Sequence, residues 1–279
     1  MGLPDFICIG AHKGGTTWLS VNLRQHPQVW TPFNKELHFF DAPGAGSERY
    51  FRRVLTARLD GAIEAAQGAG APQARIDHLR RLREPAFMLT PDWYRLIFSQ
   101  KPAGMTGGEY TPRYSTLSEE AIGGMLAFLP RTRFIYLIRE PVGRALSNFR
   151  MAAERAGLDP ADRGAIDAFT REWVGKRRYF SGDYADFIPR WDARCAEGER
   201  ILYLPFGAIR ERPRALLAEV ERFLGLTPFD GYETAEEPVH KSLPIAPPDW
   251  LRGHLEADLA PHRAFLERRF PKAFTDLLS

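Results

Sequence analysis

The sequence predicts an α/β fold, a parallel sheet with helices on both faces. Three observations carry that expectation. Short apolar runs rich in β-formers alternate with stretches of helical periodicity, the pattern of parallel strands joined by crossover helices. A glycine-rich turn links the first strand to the first helix. The sites best suited to a ligand, after Gly10, at Glu109 and at Arg139, all fall at the ends of expected strands, where sheets of this kind bind ligands.

Residues 4–10, "PDFICIG", read as a buried strand ending in a turn, and "TTWLSVNLRQHP" as a helix with Leu19, Leu23 and Val21 inward, stopped by Pro27. "QVWTP" is a short second strand and "FNKELHFFD" a loop with an aromatic anchor. Residues 42–76 are rich in Gly, Ala and Pro and predict an excursion of short helices with a mobile tip near 67–73. "TPDWYRLIFS" is a helix, and "AGMTGGEYTPRY" a short strand ending near Glu109 with a turn at Thr111 and Pro112. "RFIYLIR", residues 133–139, is the clearest buried strand, and Pro141 suits the first turn of the helix that follows and ends at Gly157. "RILYLPF" is a further strand, "RPRALLAEVERFLGL" an amphipathic helix, and a last helix covers about 248–270. The 279 residues are expected to form one domain, with about 42–100 as a helical excursion that shapes a ligand site.

Composition narrows the functional classes. A net charge of +3 without a Lys/Arg block permits an anionic ligand but gives no footprint for nucleic acid. Two cysteines, Cys8 and Cys195, predict reduced thiols rather than a disulfide framework. No apolar stretch approaches the roughly 20 residues that span a bilayer. The first strand begins a few residues from Met1, leaving no room for a leader, so the expectation is a soluble cytoplasmic protein. Oligomeric state is not readable from the chain.

"FICIGAHKGGTTWL" resembles a phosphate loop with a displaced lysine. The nucleotide-triphosphate loop needs Lys directly after its last glycine, where this chain has Thr16; its lysine, Lys13, comes before the glycines. N–H groups of a glycine turn that opens a helix cradle an anion, aided by the helix dipole. Gly14 and Gly15 admit close approach, and Thr16 and Thr17 add hydroxyls. A lysine ahead of that turn reaches the distal side of a bound phosphate. There it neutralises the oxygen that bridges to the next group, the leaving atom in a transfer. In "LIREPVGRALSNF", Arg139 ends a strand and Ser147 lies two turns into the next helix, a spacing suited to a second phosphate.

With those elements in place the sequence resembles the sulfotransferases. "KGGTTW" is similar to their 5′-phosphosulfate loop and "IREPVGRALSNF" to their 3′-phosphate segment. "NKELHFFD" and "EYTPRY" resemble segments of the carbohydrate, or heparan sulfate, branch and its bacterial relatives. The resemblance runs from residue 5 to about 227. It implies a P-loop-like three-layer fold and the donor 3′-phosphoadenosine 5′-phosphosulfate (PAPS), with PAP as product and no metal. The acceptor is a hydroxyl, or an amine, of a carbohydrate or small metabolite.

By resemblance, Lys13 stabilises the leaving oxygen, Gly14, Gly15, Thr16 and Thr17 hold the 5′-phosphate, and Arg139 and Ser147 the 3′-phosphate. Trp18 has two readings, an indole against adenine or a helix-core residue. Glu36 matches the general base, beside Lys35; His38 is the rival base, or a ring packed with Phe39 and Phe40. Glu109 is read as orienting Lys13, Arg113 or the acceptor, so Lys35, Glu109 and Arg113 form the substrate set. The chain departs from the branch at Tyr110, where lysine is usual, and in "VHKSLPIAPP", where Lys241 is a candidate cofactor contact. His12, His26 and His38 lack ligand spacing and read as surface or loop histidines. A P-loop kinase would need Lys before Thr16 and a strand-end Asp for Mg²⁺, and the chain has neither. A non-catalytic PAP-binding protein would need neither Lys13 nor Glu36.

Overall fold

The computed structural model describes residues 2–42, 48–237 and 245–279. Five strands, β1 (Phe6–Gly10), β2 (Val29–Trp30), β3 (Thr106–Tyr110), β4 (Arg133–Ile138) and β5 (Ile201–Pro205), form one sheet in the order β2-β3-β1-β4-β5. Every pairing is parallel. Helices α1 (Thr16–Leu23), α2 (Glu48–Gly68), α3 (Gln73–Arg83), α4 (Pro91–Phe98), α5 (Glu119–Phe128) and α6 (Pro141–Arg155) alternate with the first strands. Then follow α7 (Arg163–Gly175), α8 (Tyr184–Asp192), α9 (Ala208–Glu211), α10 (Pro213–Leu224), α11 (Asp249–Arg269) and α12 (Lys272–Thr275).

The central strands are buried on both faces, and alternate side chains enter different cores, as a pleated strand requires. Ile7, Ile9, Phe134, Tyr136 and Ile138 face one core with residues of α2 to α5, α8 and α11. Phe6, Cys8, Ile135 and Leu137 face the other, with Trp18, Leu19 and Leu23 of α1 and Leu216, Leu217 and Val220 of α10. The result is a three-layer α/β arrangement, as the apolar runs predict. A third cluster joins α6, α7 and α11 through Leu146, Phe149, Trp173 and Leu255.

Two expectations need correction. Residues 48–68 form one 21-residue helix rather than several short ones. Gly61 costs it about 1 kcal/mol of propensity, but Phe51, Leu55 and Leu59 are buried at a spacing of four and hold the helix against the core. Helices α5, α7 and α8 were not anticipated. The Gly123-Gly124 pair in α5 and Pro189 within α8 mask the helical period. Among the described residues no helix is long and apolar enough to cross a membrane. Both cysteines are unpaired and buried.

Candidate active site

A cavity of about 720 Å³ opens over the carboxyl ends of β1, β4 and β5. Its wall includes Lys13, Gly15, Thr16, Thr17, Trp18, Lys35, Glu36, Arg139 and Ser147, and so gathers most of the residues singled out from the sequence. Gly14, His38, Glu109 and Arg113 do not line it. Lys241 lies outside the described residues.

The loop after β1 is fastened to β4: Ala11 N–H donates to Leu137 O at 2.8 Å, and Gly14 N–H to Ala11 O at 2.8 Å. A Cβ on Gly14 would stand 2.9 Å from Ala11 O and 3.0 Å from Leu137 O. Gly15, the N-cap of α1, has φ +94°, and a Cβ there would meet Ile209 Cδ1 at 2.3 Å. Lys13 itself has φ 66°, a left-handed conformation uncommon for a residue with a side chain and concentrated at functional sites. The turn thus leads into α1 with its first N–H groups free of intrahelical acceptors.

Three cations approach this cradle. Lys35 Nζ donates to Thr17 Oγ1 at 3.0 Å and Thr16 Oγ1 at 3.3 Å. Lys13 Nζ rests 3.8 Å from Met151 Sδ on α6. Burial, then the Arg139 and Arg155 charges, lowers the Lys13 pKa from its usual range. Arg139 donates from Nη1 to Lys13 O at 3.1 Å, and its guanidinium lies 4.2 Å from the Phe206 ring centre. Ser147, Met151 and Arg155 succeed one another at intervals of four along α6 and all reach the cavity. That periodicity was present in the sequence and would have found Arg155, which the motif reading missed. Arg210 and Phe206 were missed too, since they follow a strand with no recognisable pattern.

Trp18 is 4% exposed, and its indole N–H donates to Ala235 O at 2.9 Å, tying the 235–237 segment to the cavity rim. His12 lies in the loop after β1, as expected, but it is half-buried and lines the cavity, with Asn148 Nδ2 3.2 Å from its Nδ1. Burial, then the nearby Arg144 cation, pushes its pKa down to about 4. His26 is buried between Thr227 O (2.9 Å) and the Gln28 N–H (3.1 Å), a structural role.

Opposite the cradle runs a ladder of charge. Glu36 Oε1 is 3.6 Å from Lys35 Nζ, and Glu36 Oε2 is 3.4 Å from His38 Nε2. His38 Nδ1 contacts Asp41 Oδ2 at 2.9 Å, and Asp41 pairs with Arg113 Nε at 3.3 Å. The His38 ring stacks on Phe51, centroids 4.0 Å apart. Burial alone would lower its pKa, but bonds to Asp41 and Glu36 outweigh burial and push it up to about 9. Glu36 moves the other way: burial raises its pKa, yet the His38 bond and the Lys35 charge bring it below the usual range. Glu109 is fully buried, pushed up to about 7 by burial against the pull of the Thr111, Tyr94 and Tyr114 hydroxyls.

Asp183, Asp186 and His262 are the group of possible metal ligands found among the described residues, and none of them lines the cavity. His262 Nδ1 accepts from Ala185 N–H at 3.3 Å and its Nε2 faces Asp183 at 3.5 Å, while Arg177 bonds Asp183 at 3.0 Å. His262 Nδ1 and Asp183 Oδ2 therefore have hydrogen-bond partners, while the buried Asp183 Oδ1 has only the 3.5 Å approach of the imidazole.

A parallel sheet with a glycine turn over one strand end and Arg139 and Ser147 over the next defines an α/β protein with a basic cavity at the carboxyl ends of its strands. The sequence profile described as the sulfotransferase family matches residues 4–231, and the chain belongs to that family. It is 26% identical over 236 residues to human heparan sulfate glucosamine 3-O-sulfotransferase 6, covering 80% of this chain and 52% of the relative. It is 23% identical over 246 residues to human bifunctional heparan sulfate N-deacetylase/N-sulfotransferase 2, covering 82% of this chain and 23% of the relative. The chain thus spans about half, or less, of the length of these curated relatives. Its fold matches a sulfotransferase from Alicyclobacillus acidocaldarius with TM-score 0.63 at 22% identity, each chain covered to 96%. It also matches the sulfotransferase domain from the curacin biosynthetic pathway with TM-score 0.52 at 18% identity, over 100% of this chain and 97% of that one.

Proposed function

We propose that this chain transfers a sulfuryl group from PAPS to a hydroxyl, or an amine, of a carbohydrate or small metabolite. The carrying observation is the single cavity that holds the glycine cradle with Lys13 and Lys35 beside one strand end and Arg139, Ser147 and Arg155 beside the next. Two anion sites flanked by apolar surface from Trp18, Phe206 and Ile209 fit a nucleotide with a phosphate at each end of its ribose. When bound, PAPS supplies an activated sulfuryl group whose leaving atom is a phosphate oxygen. Gly15, Thr16 and Thr17 hold that phosphate, and Lys13 neutralises the charge that grows on the oxygen as the S–O bond breaks. Lys35, bonded to both threonine hydroxyls, adds positive charge where the sulfonate passes.

Glu36 accepts the acceptor's proton as the new bond to sulfur forms. It fits the task better than His38, which is already protonated at neutral pH and holds Glu36 in place as a cation. The names of the relatives support both acceptor types, a 3-O position in one and an N position in the other. Tyr110, buried where the carbohydrate branch usually has lysine, argues against assuming a glycosaminoglycan. The whole chain is read as one catalytic unit, because α11 packs on α6 and on the core of the sheet. Two buried free thiols suit the cytoplasm.

The test is to supply PAPS with a panel of sugars, phenols and amines and to look by mass spectrometry for products heavier by one SO₃. Thermal shift with 3′,5′-ADP is read in parallel. Donor binding with sulfated product supports the proposal. Stabilisation by 3′,5′-ADP with no product from any acceptor class favours a non-catalytic binding protein, and stabilisation by ATP alone would refute the donor assignment.

A further inference from the structure

Glu109 lies outside the cavity, yet it is fully buried and ionisable, and the reaction as described leaves it unused. Its surroundings say what it does. Thr111 Oγ1 donates to Glu109 Oε1 at 2.6 Å, and the Tyr94 hydroxyl donates to Oε2. The Tyr114 hydroxyl faces the same carboxylate. Two of these three hydroxyls also accept from the backbone of the loop that carries Glu36 and His38. Leu37 N–H donates to Thr111 Oγ1 at 3.1 Å, and Phe39 and Phe40 N–H donate to Tyr114 Oη at 2.9 and 3.4 Å. Tyr94 completes the hold by stacking on Phe39, centroids 4.6 Å apart.

A count of protons fixes the direction of this network. A hydroxyl that accepts an amide hydrogen must send its own hydrogen elsewhere, and here the available acceptor is the Glu109 carboxylate. Tyr94, Thr111 and Tyr114 are all buried, away from bulk solvent. We propose that Glu109 is a positioning residue: its buried carboxylate orients the Thr111 and Tyr114 hydroxyls so that they clamp the backbone of residues 37–40, and so fixes Glu36 against the anion cradle. The substrate role expected of Glu109 is replaced by one exerted through two hydroxyls. Its catalytic meaning rests on the sulfuryl-transfer reading above; the clamp itself does not.

Glu109→Gln keeps the shape but offers one acceptor fewer, and Thr111→Val removes the bridge to Leu37. At about pH 8, where Glu109 is ionised, the amides of Leu37, Phe39 and Phe40 should exchange about tenfold faster in both variants, with β1 amides unchanged. Unchanged loop exchange in Glu109→Gln would overturn the proposal. If that variant also loses β1 protection, the protection factors of Leu37, Phe39 and Phe40 in the unmodified protein decide. They should fall as the Glu109 carboxylate takes a proton between about pH 8 and about pH 6, and a pH-independent protection would overturn the proposal. On the functional side, release of 3′,5′-ADP from PAPS, with water as acceptor, should lose about tenfold in kcat with KM for PAPS unchanged. A rise in KM with kcat intact would overturn the positioning role. Failure of 3′,5′-ADP to stabilise the unmodified protein would sink the donor reading while leaving the exchange result to stand.

Discussion

The two sides of the cavity are built by different means. The glycine-loop side is backbone-determined and local: strand, turn and helix follow within residues 6–23, and the loop is locked by the Ala11 N–H bond to β4, by the Gly14 N–H bond within the turn and by two positions that a Cβ would crowd. The facing side, residues 34–41, has no regular structure; side chains from α4, from the turn after β3 and from α2 hold it. A local device leaves a motif in the sequence, whereas a clamp assembled from distant residues does not. The difference also separates function. In the function proposed above, the first side is a preformed anion cradle, and the second presents one carboxylate within a ladder of alternating charge.

The sharpest way to break this division is Lys13→Ala. If the cradle side supplies charge to the leaving oxygen, turnover should fall by about 10³-fold while the dissociation constant of 3′,5′-ADP rises less than about tenfold. Steady-state kinetics beside calorimetric titration of 3′,5′-ADP measures both. Near-normal turnover would move the transition-state charge to Lys35, which already bonds Thr16 and Thr17.

The sequence carried the cradle side almost whole: the parallel sheet, the strand-end placement of Gly10 and Arg139, and Ser147 on the following helix all follow from periodicity and turn chemistry. It carried the facing side only as a resemblance. Glu109 marked itself as a strand-end acid, but nothing local reveals that Tyr94 and Tyr114 would surround it or that its reach stops short of the cavity. His12 and Arg155 were passed over for the same reason. Each is ordinary in its own segment and becomes a wall residue only when β1 and β4 come to lie side by side.

Gly15→Ala comes next in size and probes the backbone half alone. Placing a Cβ at φ +94° and against Ile209 should cost roughly 2 kcal/mol in stability and weaken 3′,5′-ADP binding together with it. Urea unfolding and thermal shift read the two. A fully stable variant would show that the loop tolerates other conformations, and the contrast with the 34–41 side would fade.

Ser147→Ala tests the second anion site, one helix away. Losing a single hydroxyl to a phosphate should cost about 1 kcal/mol, a five- to tenfold weaker 3′,5′-ADP affinity, with no change for 5′-AMP. Equal losses for both nucleotides would place Ser147 away from the 3′ position.

The smallest expected effect belongs to the charge ladder and is visible only against pH. His38 has a folded pKa of about 9, above its ordinary value, so the stability it contributes is complete below about pH 6.5 and is lost as pH rises through about 9. His38→Gln keeps hydrogen-bonding ability but not the charge. The gap in melting temperature between the two proteins should therefore be widest near neutral or slightly acid pH and should close on the alkaline side. A gap independent of pH between those limits would mean that stacking on Phe51, rather than the pairing with Asp41 and Glu36, secures the ring. The facing side would then be held by packing and hydroxyl bonds alone, with Lys35 as the cation that acts on Glu36.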